Sequence, residues 1–314
     1  MARFAVRRVG LILVTMLIVS LGIFSITEIL PGDVAQMIMG RHATEGNLAK
    51  IREELGLNRP AHVRYLDWIG NAVRGDLGVS HYNKEPITPL VGRRLTHSAI
   101  LAVFAFLVAV PMAVMAGIWA GVRPDTKADR LLSLTGLVGI SLPEFVTGLL
   151  LILLFSSTLN LLPSSSIVLP GTTPLSRPQI LIMPALTITL VLFAYIMRMT
   201  RANVIEVMQT DYVRTAILKG LSMREVIIRH VLPNAMLPTI TVITINFGYM
   251  LGGLIIVETV FAYPGIGQLV LCSINTRDLP LLEAVTLILA LTYALSNLLA
   301  DLSYAALDPR VRLG

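Results

Sequence analysis

Residues 9–30 read VGLILVTMLIVSLGIFSITEIL, with Glu28 as the only charged residue in the run. A hydrocarbon core about 30 Å thick takes roughly 20 apolar residues as a helix, so this run is long enough to cross a bilayer. Arg3, Arg7 and Arg8 precede it and would suit the basic end of a secretory signal. It is followed, however, by Leu30-Pro31-Gly32-Asp33 and not by a small-x-small cleavage site, so it reads as a retained first span. Five further runs, at about 98–121, 131–156, 179–197, 235–257 and 281–302, have the same character. Lipid offers no partner to free backbone groups, which requires helices, since barrel strands would be about half as long. Pro111, Pro143 and Pro184 lie inside these runs, where bundled membrane helices tolerate proline as a kink. The expected fold class is an all-α polytopic membrane protein with about six transmembrane helices in one domain, 1–314.

Composition points the same way. The 314 residues are 55% hydrophobic and 14% charged, and a mean hydropathy of +0.76 is too high for a soluble globular chain. The net charge of +6 lies in short patches between apolar runs, which argues against nucleic acid as a partner. Cys272 is the single cysteine, in no metal-ligand spacing, and reads as a buried small residue. Histidines at 42, 62, 81, 97 and 230 are scattered, with no zinc or proton-relay pattern. Solvated or capping roles suit them, with His81 and His97 placed to approach a solute outside the membrane. No nucleophile motif with a partnered base occurs, so the chain is not expected to be an enzyme.

Orientation follows from the short loops. Three basic residues precede the first span, three lie between spans two and three, six between four and five, and two in the tail. The opposite loops, 157–178 and 258–280, carry only Arg177 and Arg277. By the positive-inside rule both termini are expected in the cytoplasm. The segment 31–97 then lies outside as a helical insertion. Leu48, Ile51, Leu55 and Leu57, then Tyr65, Leu66, Trp68 and Ile69, are spaced for short amphipathic helices, with a turn at Gly75-Asp76-Leu77-Gly78.

The stretch 198–234 is cytoplasmic on this topology, basic, helical in pattern and too polar to cross a bilayer. Val204, Val207 and Met208 share one face, and Val213, Ala216 and Ile217 another. Gly220-Leu221-Ser222 breaks the pattern, which resumes from Val226 as far as Pro233. Such a helix, turn and helix either docks in a cleft on a soluble partner or lies on the membrane with its basic groups at lipid phosphates.

Here the sequence resembles the permease subunits of ATP-binding-cassette importers, whose coupling loop runs Glu-Ala-Ala, three residues, Gly, nine residues, Ile, one residue, Leu-Pro. With Gly220 in register, Arg214-Thr215-Ala216 occupies the triplet, His230 the isoleucine position, and Leu232-Pro233 the end. The glutamate, first alanine and isoleucine are therefore absent. The dipeptide, oligopeptide and nickel branch carries Asp-Tyr-Val-Arg-Thr-Ala-x-x-Lys-Gly-Leu instead, which residues 211–221 reproduce. Other pieces agree in order: Leu30-Pro31-Gly32-Asp33, Leu55-Gly56-Leu57 with Pro60, Gly75 to Ser80, Pro143 with Phe145 and Gly148, Val257-Glu258 with Phe261, Pro264-Gly265-Ile266-Gly267, and Leu307-Asp308-Pro309-Arg310. Val34 departs from the proline often found after the aspartate.

The resemblance implies a type I importer permease fold in a bacterial or archaeal cytoplasmic membrane. It also implies a second homologous permease, two ATPase subunits that bind ATP and Mg, and an extracytoplasmic binding protein that delivers peptides or similar small solutes. No Gly-x-x-x-x-Gly-Lys-Ser/Thr occurs, so no cofactor is expected in this chain and ATP hydrolysis belongs to the partners. Arg214, Thr215, Ala216, Lys219, Gly220 and Leu221, with Leu232 and Pro233, are the expected ATPase-coupling residues. Polar groups within spans are costly and call for a reason. Glu28, Glu283 and Asp301 suit snorkelling or helix-to-helix hydrogen bonds, Asn297 is a further polar group within a span, and Asn246, Gly248 and Glu144 are the candidates for the transport pathway. An ion-gradient-driven secondary transporter is the alternative reading.

Overall fold

The computed structural model describes residues 2–29, 44, 46, 48–49, 53, 58–169 and 171–307. Ile51, Leu55-Gly56-Leu57, Leu30-Pro31-Gly32-Asp33 and Asp308-Pro309-Arg310 lie outside the described residues. Among the described residues the chain is helical, with one isolated β-bridge, Val79 to Pro86. Helices α1 (Ala2–Ile29), α2 (Ala61–Val73), α3 (Ile87–Val122), α4 (Lys127–Ser141) and α5 (Glu144–Leu151) come first. They are followed by α6 (Gln179–Met208), α7 (Asp211–Leu218), α8 (Met223–Val226), α9 (Leu232–Val260), α10 (Ile266–Asn275) and α11 (Leu279–Leu307). Among the described residues five helical stretches are long and apolar enough to cross a membrane, and the bent pair that begins with α4 and α5 makes a sixth if it is one span.

That bent pair corrects the expected single kinked span at 131–156. Pro143 does not kink a helix but separates two, whose axes differ by 109°. The residue before a proline is driven out of the helical region, and Leu142 is extended at φ −89°, ψ 130°. Two further runs are longer than their apolar cores. The second span starts at Ile87, so residues 87–97 of the expected insertion belong to α3, and α6 continues ten residues and more beyond position 197. Pro111 and Pro184 sit inside continuous helices, as expected.

The chain divides into two compact units, one of residues 97–264 with 296 onward, the other of 2–96 with 265–295. In the first, α6 is the centre: 67% of its most apolar window is buried, and it packs against α9, α4 and α5. Lipid tails are as apolar as leucine, so close packing and hydrogen bonds hold such helices together, not exclusion from water. Small residues on α3 supply the closeness. Ala105, Ala109 and Ala113 are fully buried at four-residue spacing, and Gly117 and Gly121 continue the row. A Cβ at Gly117 would lie 2.7 Å from the Met197 carbonyl oxygen on α6, so the two backbones meet there. Across α6 and α9 the buried Asn203 Nδ2 donates to Thr239 Oγ1 at 3.2 Å.

In the second unit the polar groups of the spans are already used. Thr27 Oγ1 donates to Glu283 at 2.6 Å, Arg64 pairs with Glu28, and Phe24 stacks on Trp68 with centroids 6.2 Å apart. The expected turn is present: Gly75 and Gly78 both take positive φ, and Asp76 Oδ1 accepts the Gly78 amide at 2.9 Å. Beyond it, the buried Asp278 carboxylate accepts from the Ser80 hydroxyl and from the amides of His81 and Tyr82 at 3.2 and 3.1 Å. Cys272 is half-buried, short of the expected full burial.

Candidate functional site

Two places in the first unit combine chemistry with access. One is the 198–234 segment. Its first part, to Met208, is the end of α6, and α7 follows after a two-residue turn. Val213 and Ala216 of α7 are buried with Val204, Val226, Val231 and Ala235, and Leu221 packs partly against them. That cluster clamps α7 onto the ends of α6 and α9. Gly220 has φ +82°, which is why a glycine ends the helix there. Ser222 caps α8 through a capping box with Glu225. Pro233 does not end a helix as expected. It is the second residue of α9, where a missing amide costs little, and a π-helical turn at Ile227–Val231 leads into it.

The structure therefore sorts the expected coupling residues. Arg214, Thr215, Lys219 and Gly220 are exposed, Leu221 and Leu232 are half-buried, and Pro233 is exposed. Ala216 is only 5% exposed and faces inward, so it holds α7 in place and does not offer itself to a partner. Ile217, expected to share the inward face, is exposed. Sequence reading passed over Tyr212, Leu218 and Met223, which also face out, Leu218 at 81% exposure. A leucine that bare between Arg214 and Lys219, on a helix pinned from behind, has the form of a docking contact.

Behind this segment lies a pair that the sequence did not suggest. Asp129 of α4 is 2% exposed, and the Arg201 guanidinium of α6 grips both its oxygens, with Nη2 to Oδ2 at 2.7 Å. The Asp125 amide donates to the same carboxylate at 2.9 Å. Bidentate geometry of this kind fixes direction as well as distance.

The second place is a cavity of about 520 Å³ among α5, α6 and α9. Glu144, Asn246, Tyr195 and Tyr249 bring its polar atoms, and aliphatic side chains such as Ile188 and Leu192 fill the rest of the wall. The size and the mostly apolar lining suit a small solute. Two of the three expected pathway residues, Glu144 and Asn246, thus meet at one cavity. Gly248 does not line it; a Cβ there would lie 2.8 Å from Asn297 Oδ1, so it makes room for α11 within the same unit. Gly253 does line the cavity, directly beneath the Glu144 carboxylate.

In the second unit a cavity of about 450 Å³ is lined by Phe24, Trp68, Arg64, Glu28, Glu283 and His81 among others. Burial pushes the His81 imidazole below its ordinary range, with the Asp278 carboxylate opposing and Lys84 adding to the effect. His97 instead belongs to the first unit's packing, its Nδ1 3.0 Å from the Pro264 carbonyl oxygen and its own carbonyl accepting from Tyr263. No group of three His, Cys, Asp or Glu side chains suited to a metal occurs among the described residues.

Residues 113–313 match the family model for binding-protein-dependent transport system inner membrane components, and residues 1–82 match the model for the N-terminal part of such components. The chain belongs to this family. A probable peptide ABC transporter permease of Sinorhizobium fredii is 38% identical over 99% of this chain and 100% of its own length. The glutathione transport system permease of Escherichia coli is 36% identical over 99% of each chain. A crystal structure of an amino acid ABC transporter with histidines shares the fold at a TM-score of 0.54, with 16% identity over 70% of this chain and 94% of that one. As a member of the family, the chain is a permease subunit of an ATP-driven importer with the type I fold, not a secondary transporter.

Proposed function

We propose that this chain carries peptides or peptide-like small solutes inward across a bacterial or archaeal cytoplasmic membrane, paired with a second, homologous permease. Two ATPase subunits, which bind ATP and Mg, drive the transport, and the exposed face of α7 with the Gly220 turn is this chain's contact to them. An extracytoplasmic binding protein delivers the solute. The basic excess in 198–234 and in the terminal segments supports a cytoplasmic position for α7 and both termini, with the 31–97 segment on the opposite side. The substrate class rests on relatives described as carrying peptides and glutathione.

The single observation that carries the coupling role is the two-sided character of α7. Val213 and Ala216 fix it to the ends of α6 and α9, while Tyr212, Arg214, Leu218 and Lys219 face outward. A rigid helix gripped in a partner's cleft moves as the cleft moves, and its inner face passes that motion to the spans. The cavity with Glu144 and Asn246 is the part of the path that this chain contributes.

The test is ATPase activity of the chain co-purified with the products of neighbouring genes in lipid nanodiscs, with and without the binding protein loaded with a peptide mixture. Stimulation by loaded binding protein that disappears in Gly220→Val supports the reading. Failure of any ATPase to co-purify, with solute moved by the chain alone down an ion gradient, refutes it.

A further inference from the structure

Glu144 is the first residue of α5, immediately after the break at Pro143, and it sits on the cavity wall. Its carboxylate occupies a place that exists because residue 253 has no side chain: a Cβ on Gly253 would lie 2.6 Å from Oε1 and 2.8 Å from Oε2. The Oε2 atom is buried and has no hydrogen-bond partner. A buried carboxylate oxygen without a donor is costly, and native structures keep such a group where something else supplies the donor. Among the described residues no lysine, arginine or histidine lines the cavity, so this chain's wall supplies no cation of its own and a cationic guest would complement the carboxylate.

The other walls narrow the guest's chemistry. A tightly held transition-metal ion is usually gripped by several carboxylate, imidazole or thiolate side chains, and among the described residues no group of three His, Cys, Asp or Glu suited to this exists. An organic ammonium needs hydrogen-bond acceptors and tolerates aromatic faces. Asn246 Nδ2 donates to the Val242 carbonyl at 2.8 Å, which leaves Oδ1 as the acceptor end of that amide. Tyr195 and Tyr249 line the same cavity, and a tyrosine ring is a side chain capable of cation–π contact. The aliphatic part of the wall accepts the rest of a small solute.

We propose that Glu144, seated over Gly253, receives a protonated amino group of the carried solute, so that this permease itself selects for a free amine in addition to any selection by the binding protein. The inference rests on the reading of the cavity as part of the transport path.

The test uses the permease pair with its ATPases in nanodiscs, binding protein omitted, and equilibrium dialysis of two probes, trialanine and N-acetyl-trialanine. Trialanine binds saturably and the acetylated probe about tenfold or more weakly, as loss of a charge-assisted hydrogen bond requires. Glu144→Gln weakens trialanine by about 10- to 100-fold and brings the two probes close together, and Gly253→Ala shifts the ratio the same way. Ile245→Trp, which fills the cavity from α9, removes binding of both probes and stops ATP-driven uptake by the complete importer. Equal affinity of the wild type for both probes, no saturable binding of trialanine, or a Glu144→Gln variant that keeps the wild-type preference overturns the proposal. If Ile245→Trp still blocks uptake in those cases, the cavity remains the path and only the amine selection falls. Wild-type uptake and binding in Ile245→Trp would sink the path reading itself.

Discussion

Leu218→Asp separates docking from folding more cleanly than any change at the glycine. Leu218 is 81% exposed, so nearly all of its surface is available to a partner and almost none supports this chain. Full burial of a leucine is worth about 1.5–3 kcal/mol, and an aspartate in the same cleft adds the cost of desolvating a charge. A combined loss of about 3 kcal/mol or more corresponds to a dissociation constant raised more than about 100-fold. The change in folding stability at so exposed a position stays within about 0.5 kcal/mol. Expected together are an unchanged melting temperature, loss of the ATPase from pull-downs in mild detergent, and loss of ATP-driven uptake. Ala216→Leu is the contrast: at 5% exposure the added methylenes overpack the valine cluster at a cost of about 1–3 kcal/mol, so melting temperature and uptake fall together. A Leu218→Asp variant that melts like the wild type and still retains its ATPase and its uptake would refute the assignment of this face.

Three further outcomes follow from the packing. Arg201→Met strands the buried Asp129 carboxylate at a cost of about 3–5 kcal/mol, while the double variant with Asp129→Asn recovers part of it; thermal melts of the two read the difference. Gly117→Ala pushes a Cβ against the Met197 carbonyl and is expected to cost about 1–3 kcal/mol, lowering the melting temperature although alanine is the better helix former. His81 is held neutral by burial, so its folded-state pKa lies below its unfolded value of 6.5; the stability it contributes is complete above that pH and is lost as pH falls below it. Melts between pH 7.5 and 5 show this slope in the wild type and a shallower one in His81→Asn.

The long apolar spans were legible because a membrane imposes a coarse rule of length and apolarity that single runs satisfy on their own. What breaks or joins those runs was not. Pro111 and Pro143 look alike in sequence, yet one lies in a continuous helix and the other between two, because the outcome depends on which neighbours can take up the freed backbone groups. In the coupling segment the spacing of Val213 and Ala216 announced a buried face, but the resemblance drew Ala216 to the partner side, and the exposed Leu218 was hidden by its own hydrophobicity. Asp129 and Arg201 are far apart in sequence and sit among other loop charges, so nothing short of the packing of α4 on α6 pairs them. Glu144 stands out in the sequence as a polar group within a span, whereas nothing in the sequence marks Gly253 as its seat, which is a property of helix contact alone.

The coupling face and the cavity use the same two helices, which gives the proposed transmission a physical route. Val204 on α6 and Ala235 on α9 are packed with α7, and Tyr195 and Ile245 on those helices line the cavity. From Val204 to Tyr195 is nine residues, about 14 Å at 1.5 Å per residue, and α6 is continuous between them. The Asn203 to Thr239 hydrogen bond ties the two helices near the α7 end, and the grip of Arg201 on Asp129 extends the same tie to α4. A displacement of α7 is therefore applied to helices that are cross-linked near the point of contact, and it reaches the cavity as a shift of helix bodies instead of being absorbed by side-chain rotation. The break in the helix lies elsewhere, at Leu142-Pro143, where α4, tied by its buried aspartate, passes to α5 with its unpaired carboxylate on the cavity wall. On the proposed reading, a bend placed between the clamped helix and the one that carries Glu144 allows the cavity to change shape while the α7 end keeps its packing, a division of labour that suits alternating access.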